Sequence, residues 1–272
     1  MTAPGNRGAS QLRIQASGLS DQGCLRAHNE DACFVDVEHG IFIVADGIGG
    51  HQYGDVASQM VVRELPGILR RRIAAAGDPR GDADPAIGDM LVQSVSEVGR
   101  HVHSWSEQAL PDSRGMGATI AVMIVTNRHA HIAHMGDSRV YLFRANELRA
   151  LTQDHTIAGL LMQNGEITSR EAEVHPARGR LTRYVGMEAE VEAASRAVEL
   201  LPGDRLLLCT DGLWGMITDG YMGSVLSQCG SPADTCNALV AAGNAAGGRD
   251  NLTALVVDVM GEEGGHETQS SG

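Results

Sequence analysis

Lysine is absent from this chain of 272 residues; all 21 basic residues are arginine. That excludes a P-loop lysine, a Schiff-base lysine and a lysine general base. Any phosphate must then be held by arginine, backbone amide or metal ion. Aromatic residues make up only 3% of the chain, so the core must be built from Val, Ile, Leu, Met and Ala. The five cysteines (Cys24, Cys33, Cys209, Cys229, Cys236) form no CxxC pair. With no HExxH either, a zinc site has no support, and a reduced, cytoplasmic protein is the expected setting. No apolar run approaches the ~20 residues of a membrane span; the longest, ATIAVMIV, reads as a buried strand. The first residues lack the apolar segment of a secretory signal. A net charge of -13 makes nucleic acid a poor partner. The one basic run, Arg70–Arg72, falls in a helical pattern and reads as a solvated helix face.

Apolar residues reach 43% of the chain, enough for a single large folded domain. Strands are expected at Ile41–Ala45, Ala118–Val125, Ala130–Met135, Val140–Phe143, Arg205–Cys209 and Leu252–Val259. Several are apolar at every position, as strands covered on both faces are. HIAHMGDSRVYLFR reads as two antiparallel strands joined by a tight turn at Gly136–Arg139. A helix is expected after Asp55, with Pro66 ending or kinking it. A second is capped by Asp84-Pro85 and carries Ile87, Leu91, Val95, Val98 and Val102 at helical spacing; a third opens at Ser231-Pro232. Short helices are expected at Thr156–Gln163 and Ser169–Val174, the latter with a Thr168/Glu171 capping box. Long helices are grouped rather than alternating with strands, which predicts an α+β fold of antiparallel sheets covered by helices.

The chemistry lies in the acids. Asp46-Gly47 and Asp211-Gly212 each end an apolar run, and Asp250 opens another. A lone Asp usually serves a turn or cap. Three at strand ends predict convergence at one sheet edge, where their repulsion calls for hard divalent cations. The glycines of GIGGHQYG offer a backbone carbonyl to such a site. Arg26, four residues before Glu30, reads either as a surface ion pair or as a fork for phosphate oxygens.

Eight segments in order carry a resemblance: RAHNEDACFV, VADGIGGHQYGDVAS, GMGATIAVMIV, HIAHMGDSRVYLF, LTQDHT, LTRYVG, DRLLLCTDGLWG and GGRDNLTALVV. Together they span most of the chain. The chain resembles the bacterial metal-dependent serine/threonine protein phosphatases of type 2C. The resemblance implies an αββα sandwich over residues 11–260, with a helical flap at about 152–184 and loose tails at 1–10 and 261–272. It implies two Mn²⁺ or Mg²⁺ ions, with a weaker third. Asp46 resembles the carboxylate shared by both ions, Gly47 a carbonyl ligand, and Asp211 and Asp250 further ligands. Glu30 and Asp31 match acids that hold water around the ions, Asp137 a ligand of the third ion, and Arg26 the phosphate-binding arginine. Thr119 and Asn251 match supporting positions. Ile48 stands where eukaryotic relatives often carry a histidine proposed as general acid; His51 is a weak substitute.

The implied reaction is hydrolysis of phosphoserine and phosphothreonine on proteins, by a metal-activated water attacking phosphorus, in opposition to a serine/threonine kinase. The expected form is a monomer with no membrane partner. The competing readings are a small-molecule phosphatase, a phosphatase for an anti-sigma antagonist, and a non-catalytic docking module on the same fold.

Overall fold

The computed structural model describes residues 12–48, 53–75, 85–109, 115–187 and 191–261. The glycine-rich stretch 49–52 with His51, the Asp84 cap and the expected tails (1–10, and 262 onward) lie outside the described residues. The chain opens with β1 (Arg13–Asp21), β2 (Asp31–Asp36) and β3 (Ile41–Ile48), then two long helices, α1 (Gly54–Ala75) and α2 (Pro85–Ala109). Next come β4 (Gly117–Ala118), β5 (Ile120–Val125), β6 (His129–Met135), β7 (Arg139–Arg144) and β8 (Glu147–Ala150). The short α3 (Ile157–Gln163) and α4 (Ser169–Glu173) follow, and then β9 (Ala194–Glu199) and β10 (Arg205–Cys209). The chain closes with α5 (Asp211–Trp214), α6 (Asp219–Gln228), α7 (Pro232–Ala245) and β11 (Leu252–Met260).

The strands form two antiparallel sheets, β1-β11-β10-β7-β8 and β2-β3-β5-β6-β9, with β4 added beside β3. The two-residue period of a strand explains the continuously apolar runs. In β3, Ile41, Ile43 and Ala45 point to the layer of α1 and α2, while Phe42 and Val44 point between the sheets. In β11, Leu255, Val257 and Val259 fill that same inter-sheet layer, and Leu252, Ala254 and Val256 meet the helices on the far side. The result is the expected α+β sandwich, with helices outside each sheet. Among the described residues no helix is long and apolar enough to cross a membrane.

Three expectations are corrected. The segment HIAHMGDSRVYLFR is not a hairpin: β6 pairs with β5 and β9, β7 with β10 and β8. Over residues 136–138 the chain steps from one sheet to the other, with Gly136 at φ 106°. A Cβ there would lie 2.7 Å from Thr119 Cβ, so the corner needs glycine. The real two-residue hairpin joins β7 to β8 at Ala145-Asn146, both at positive φ, a turn whose alanine hides it from sequence reading. Second, Pro66 does not end the helix: α1 runs through it. One lost hydrogen bond is offset by Val61, Leu65, Ile68 and Leu69, all buried on either side of it. Third, Asp46 does not share a sheet edge with Asp211 and Asp250; it comes from the other sheet.

The flap helices form where expected. Thr156 Oγ1 accepts the Gly159 N–H at the start of α3, and Thr168 and Glu171 form the capping box of α4.

Candidate metal centre

Both sheets end at one cleft, and each brings acids to it. Asp46 lies near the end of β3, in register opposite Asp31 at the start of β2. From the other sheet, Asp211 follows β10 and opens α5, and Asp250 stands just before β11. Asp137 sits on the corner between the sheets. The two sheets thus converge their carboxylates where one sheet alone cannot.

Burial and mutual repulsion set the protonation of these groups. Asp46 is held well above the usual carboxylate range, first by burial and then by the charges of Asp31, Asp211, Asp137 and Asp250. Asp137 is raised likewise by burial, Asp211 and Asp154. Burial and Asp250 raise Asp211, against a hydrogen bond with the Asp46 carboxyl and the charge of Arg26. Burial pushes Asp31 up to about 7, although Thr253 and Thr210 each donate a 2.7 Å hydrogen bond to its Oδ2. The other oxygen, Asp31 Oδ1, is buried with no hydrogen-bond partner.

This donor set fits hard divalent ions. It is all oxygen, it is too negative to stay ionised unaided, and it contains a buried carboxylate oxygen with no partner. Among the described residues no three acidic, histidine or cysteine side chains already close around one point.

The framework around the acids is fixed in detail. Thr119 accepts the Asp46 N–H at 3.1 Å on its Oγ1, and the Thr119 N–H donates to the Asp46 carbonyl at 2.8 Å. Asn251 accepts the Glu30 N–H at 2.8 Å and donates through Nδ2 to the Gln22 and His28 carbonyls. These are the supporting positions expected of Thr119 and Asn251. Arg26 lies on the rim, donating to Asp250 Oδ2 at 2.7 Å, and the charges of Glu30 and Asp46 also reach it. Of the two readings of Arg26, the ion pair is made with Asp250 and not with Glu30, in a loop over residues 22–30.

Gly47 follows Asp46 in a tight space. A Cβ there would sit 2.0 Å from the Gly54 carbonyl oxygen and 2.8 Å from that of Glu30. Gly47→Ala is expected to cost about 1–3 kcal/mol through forced backbone separation. Urea unfolding measures this, and a midpoint equal to the parent's would show that the two backbones part freely.

Sequence reading missed Thr210, Thr253 and Trp214. The threonine hydroxyls meet Asp31 only because β10 and β11 lie side by side; the Trp214 indole N–H donates to the Asp137 carbonyl at 3.0 Å. His134 and His155 stack at 4.5 Å, and burial, with its neighbour's charge, pushes His155 down to about 4.

Comparison with known proteins agrees with this geometry. The family model for protein phosphatase 2C matches residues 26–245. Serine/threonine phosphatase stp of Listeria welshimeri is 36% identical over 248 residues, covering 90% of this chain and 96% of that protein. Protein phosphatase PhpP of Streptococcus pneumoniae is 32% identical, covering 92% and 99%. A crystal structure of the catalytic domain of the serine/threonine protein phosphatase PstP, in complex with two manganese ions, superposes with a TM-score of 0.78 at 32% identity. It covers 92% of this chain and 99% of that one. With a family match over most of its length and relatives at 32–36% identity along nearly all of it, the chain belongs to the protein phosphatase 2C family and is a metal-dependent serine/threonine protein phosphatase.

Proposed function

We propose that the acidic cleft is the reaction site and that its residues divide the work as follows. Asp46, the Gly47 carbonyl, Asp211 and Asp250 would hold two divalent ions. Asp137 would hold a weaker third ion, and Glu30 and Asp31 would order solvent beside them. The observation that carries this reading is the set of acids, drawn from both sheets, that hold one another's ionisation back around an unpartnered Asp31 oxygen. The bound ions supply positive charge for the phosphoryl oxygens and a water acidic enough to lose its proton near neutrality.

The chain's own residues do the remaining work. Arg26 presents its guanidinium to phosphoryl oxygens, and its bond to Asp250 sets the direction of that fork. Thr210 and Thr253 fix the Asp31 carboxylate so that Oδ1 faces away from both hydroxyls. Ile48 has no proton to give, so the leaving hydroxyl takes its proton from another group. The substrates are phosphorylated proteins, and the counterpart is a serine/threonine kinase that made them. The protein works as a monomer in the cytoplasm.

The test is phosphate release from phosphoserine and phosphothreonine peptides with Mn²⁺ and with excess chelator, in the parent and in Arg26→Ala. The parent should turn over only with the ion. Arg26→Ala should raise KM about tenfold or more, the worth of a charge-assisted hydrogen bond, with a smaller change in kcat. An unaltered KM removes Arg26 from phosphate binding.

A further inference from the structure

One arginine outside the acid cluster joins three of the elements around it. Arg139 begins β7, two residues after Asp137. Its Nε and Nη2 donate to the two carboxylate oxygens of Asp154 at 2.8 and 2.7 Å, and its Nη1 donates to the Tyr141 hydroxyl at 2.9 Å. Its guanidinium carbon lies 3.6 Å from the centre of the Trp214 ring. Trp214 ends the helix α5 that Asp211 opens, and its indole N–H holds the Asp137 carbonyl.

Asp154 stands where the flap leaves the core. Beside it, the His155 N–H donates to the Gly136 carbonyl at 2.9 Å, and the Gly136 N–H donates to His155 Nδ1 at 3.3 Å. His134 Nε2 donates to the Gln153 carbonyl at 2.8 Å. The returning side of the flap is bound to the same place, since the Thr182 N–H donates to the His155 carbonyl. A single planar guanidinium therefore spans the Asp137 corner, the helix carrying Asp211 and the flap root.

The chemistry suits that post. The pair is largely covered, with side chains 23% and 17% exposed, so solvent screens it little. A bidentate fork fixes direction as well as distance, and the stacked indole fixes the plane. A plain structural ion pair would give little net stability and would have no reason to recruit the site's own walls.

We propose that Arg139 is a positioning residue that locks the flap root to the acidic centre, so that a phosphorylated protein segment meets a preformed wall. A small phosphate ester, which reaches only the ions and Arg26, needs that wall much less. The inference rests on the acidic cleft being the reaction site.

The experiment uses the full chain with Arg139→Met, Arg139→Lys, Asp154→Asn and the double variant Arg139→Met/Asp154→Asn. Trypsin cleavage in the flap, after the exposed Arg170, Arg178, Arg180 and Arg183, reports how often the flap opens. KM is measured with Mn²⁺ for a phosphothreonine peptide and for an aryl phosphate. Arg139→Met and Asp154→Asn should each speed flap cleavage about tenfold, as local opening becomes easier. Each should raise the peptide KM about tenfold while the aryl phosphate KM stays within about twofold. Arg139→Lys should fall between, because lysine keeps the charge and loses the fork. The double variant should be no worse than the worse single one, the sign of one shared interaction. Parental cleavage rates in folded variants, equal KM rises for both substrates, or fully additive losses would each overturn the proposal. If Arg139→Met does not fold, Arg139→Lys and Asp154→Asn carry the same comparison. Cleavage is read without turnover, so it judges Arg139 even if hydrolysis is absent; absence of hydrolysis in the parent with Mn²⁺ would instead overturn the functional reading.

Discussion

Asp46→Asn should lower phosphatase turnover by ~10²–10³-fold or more, while making the ion-free protein more stable than its parent. Both halves follow from one position. Asp46 carries a carboxylate that feels four other acids, and burial alone already raises its proton affinity. On the proposed assignment that carboxylate would hold the ions, and an amide of the same shape cannot replace its charge. Without ions, the same charge is a liability, and the amide removes it without leaving a cavity. Steady-state assays with Mn²⁺ and urea unfolding with chelator measure the two effects. Asp211→Asn should behave in the same way, because its carboxylate is raised by burial and by Asp250. Near-parental turnover in either variant would remove the shared-ligand assignment. An ion-free midpoint that drops instead would show that these carboxylates are not in conflict.

Removing the ions should reverse the pH dependence of stability. In the ion-free chain burial and mutual repulsion hold the folded-state pKa values of Asp31, Asp46, Asp137 and Asp211 above that of an ordinary aspartate. A raised folded pKa means that the native state holds protons the unfolded state has already lost. The resulting stability is fully present below the unfolded value and disappears as pH rises through the folded one, which for Asp31 is about 7. Chelator-treated protein should therefore lose on the order of a few kcal/mol between pH 5 and pH 8. Mn²⁺ competes with protons for the same oxygens, so its stabilisation should grow over that interval. Thermal or urea unfolding at several pH values, with chelator and with Mn²⁺, gives both curves. A chelated protein equally stable at pH 5 and pH 8 would show that the acids do not repel one another in the fold.

The acids that the two sheets bring together were legible one by one. Asp46-Gly47 and Asp211-Gly212 announce themselves because a carboxylate and a glycine at the end of an apolar strand leave few other uses. The central strands were legible for a related reason: β3, β5, β10 and β11 are apolar on both faces. The edges were not. β8 (ELRA) and β9 (ASRAVE) are short and mostly exposed, so the hydrophobic period that marks a strand is missing from them. The step at Gly136 was misread as a hairpin for want of any local cue. A tight glycine turn looks the same whether the next strand returns beside the last one or crosses to another sheet.

What the sequence determined by itself was the chemical inventory: oxygen donors without lysine, acids at strand ends, and arginine in place of every lysine. Two-residue and 3.6-residue periods sufficed for the layers, since those periods are local properties of the backbone. Only the tertiary structure decided that Asp46 faces Asp211 across two sheets, that Arg26 takes Asp250 rather than Glu30, and that Arg139 joins Trp214 to Asp154. Such contacts link residues as much as 224 positions apart. They depend on how whole sheets stack and where their ends meet, and no local pattern of side chains encodes that distance.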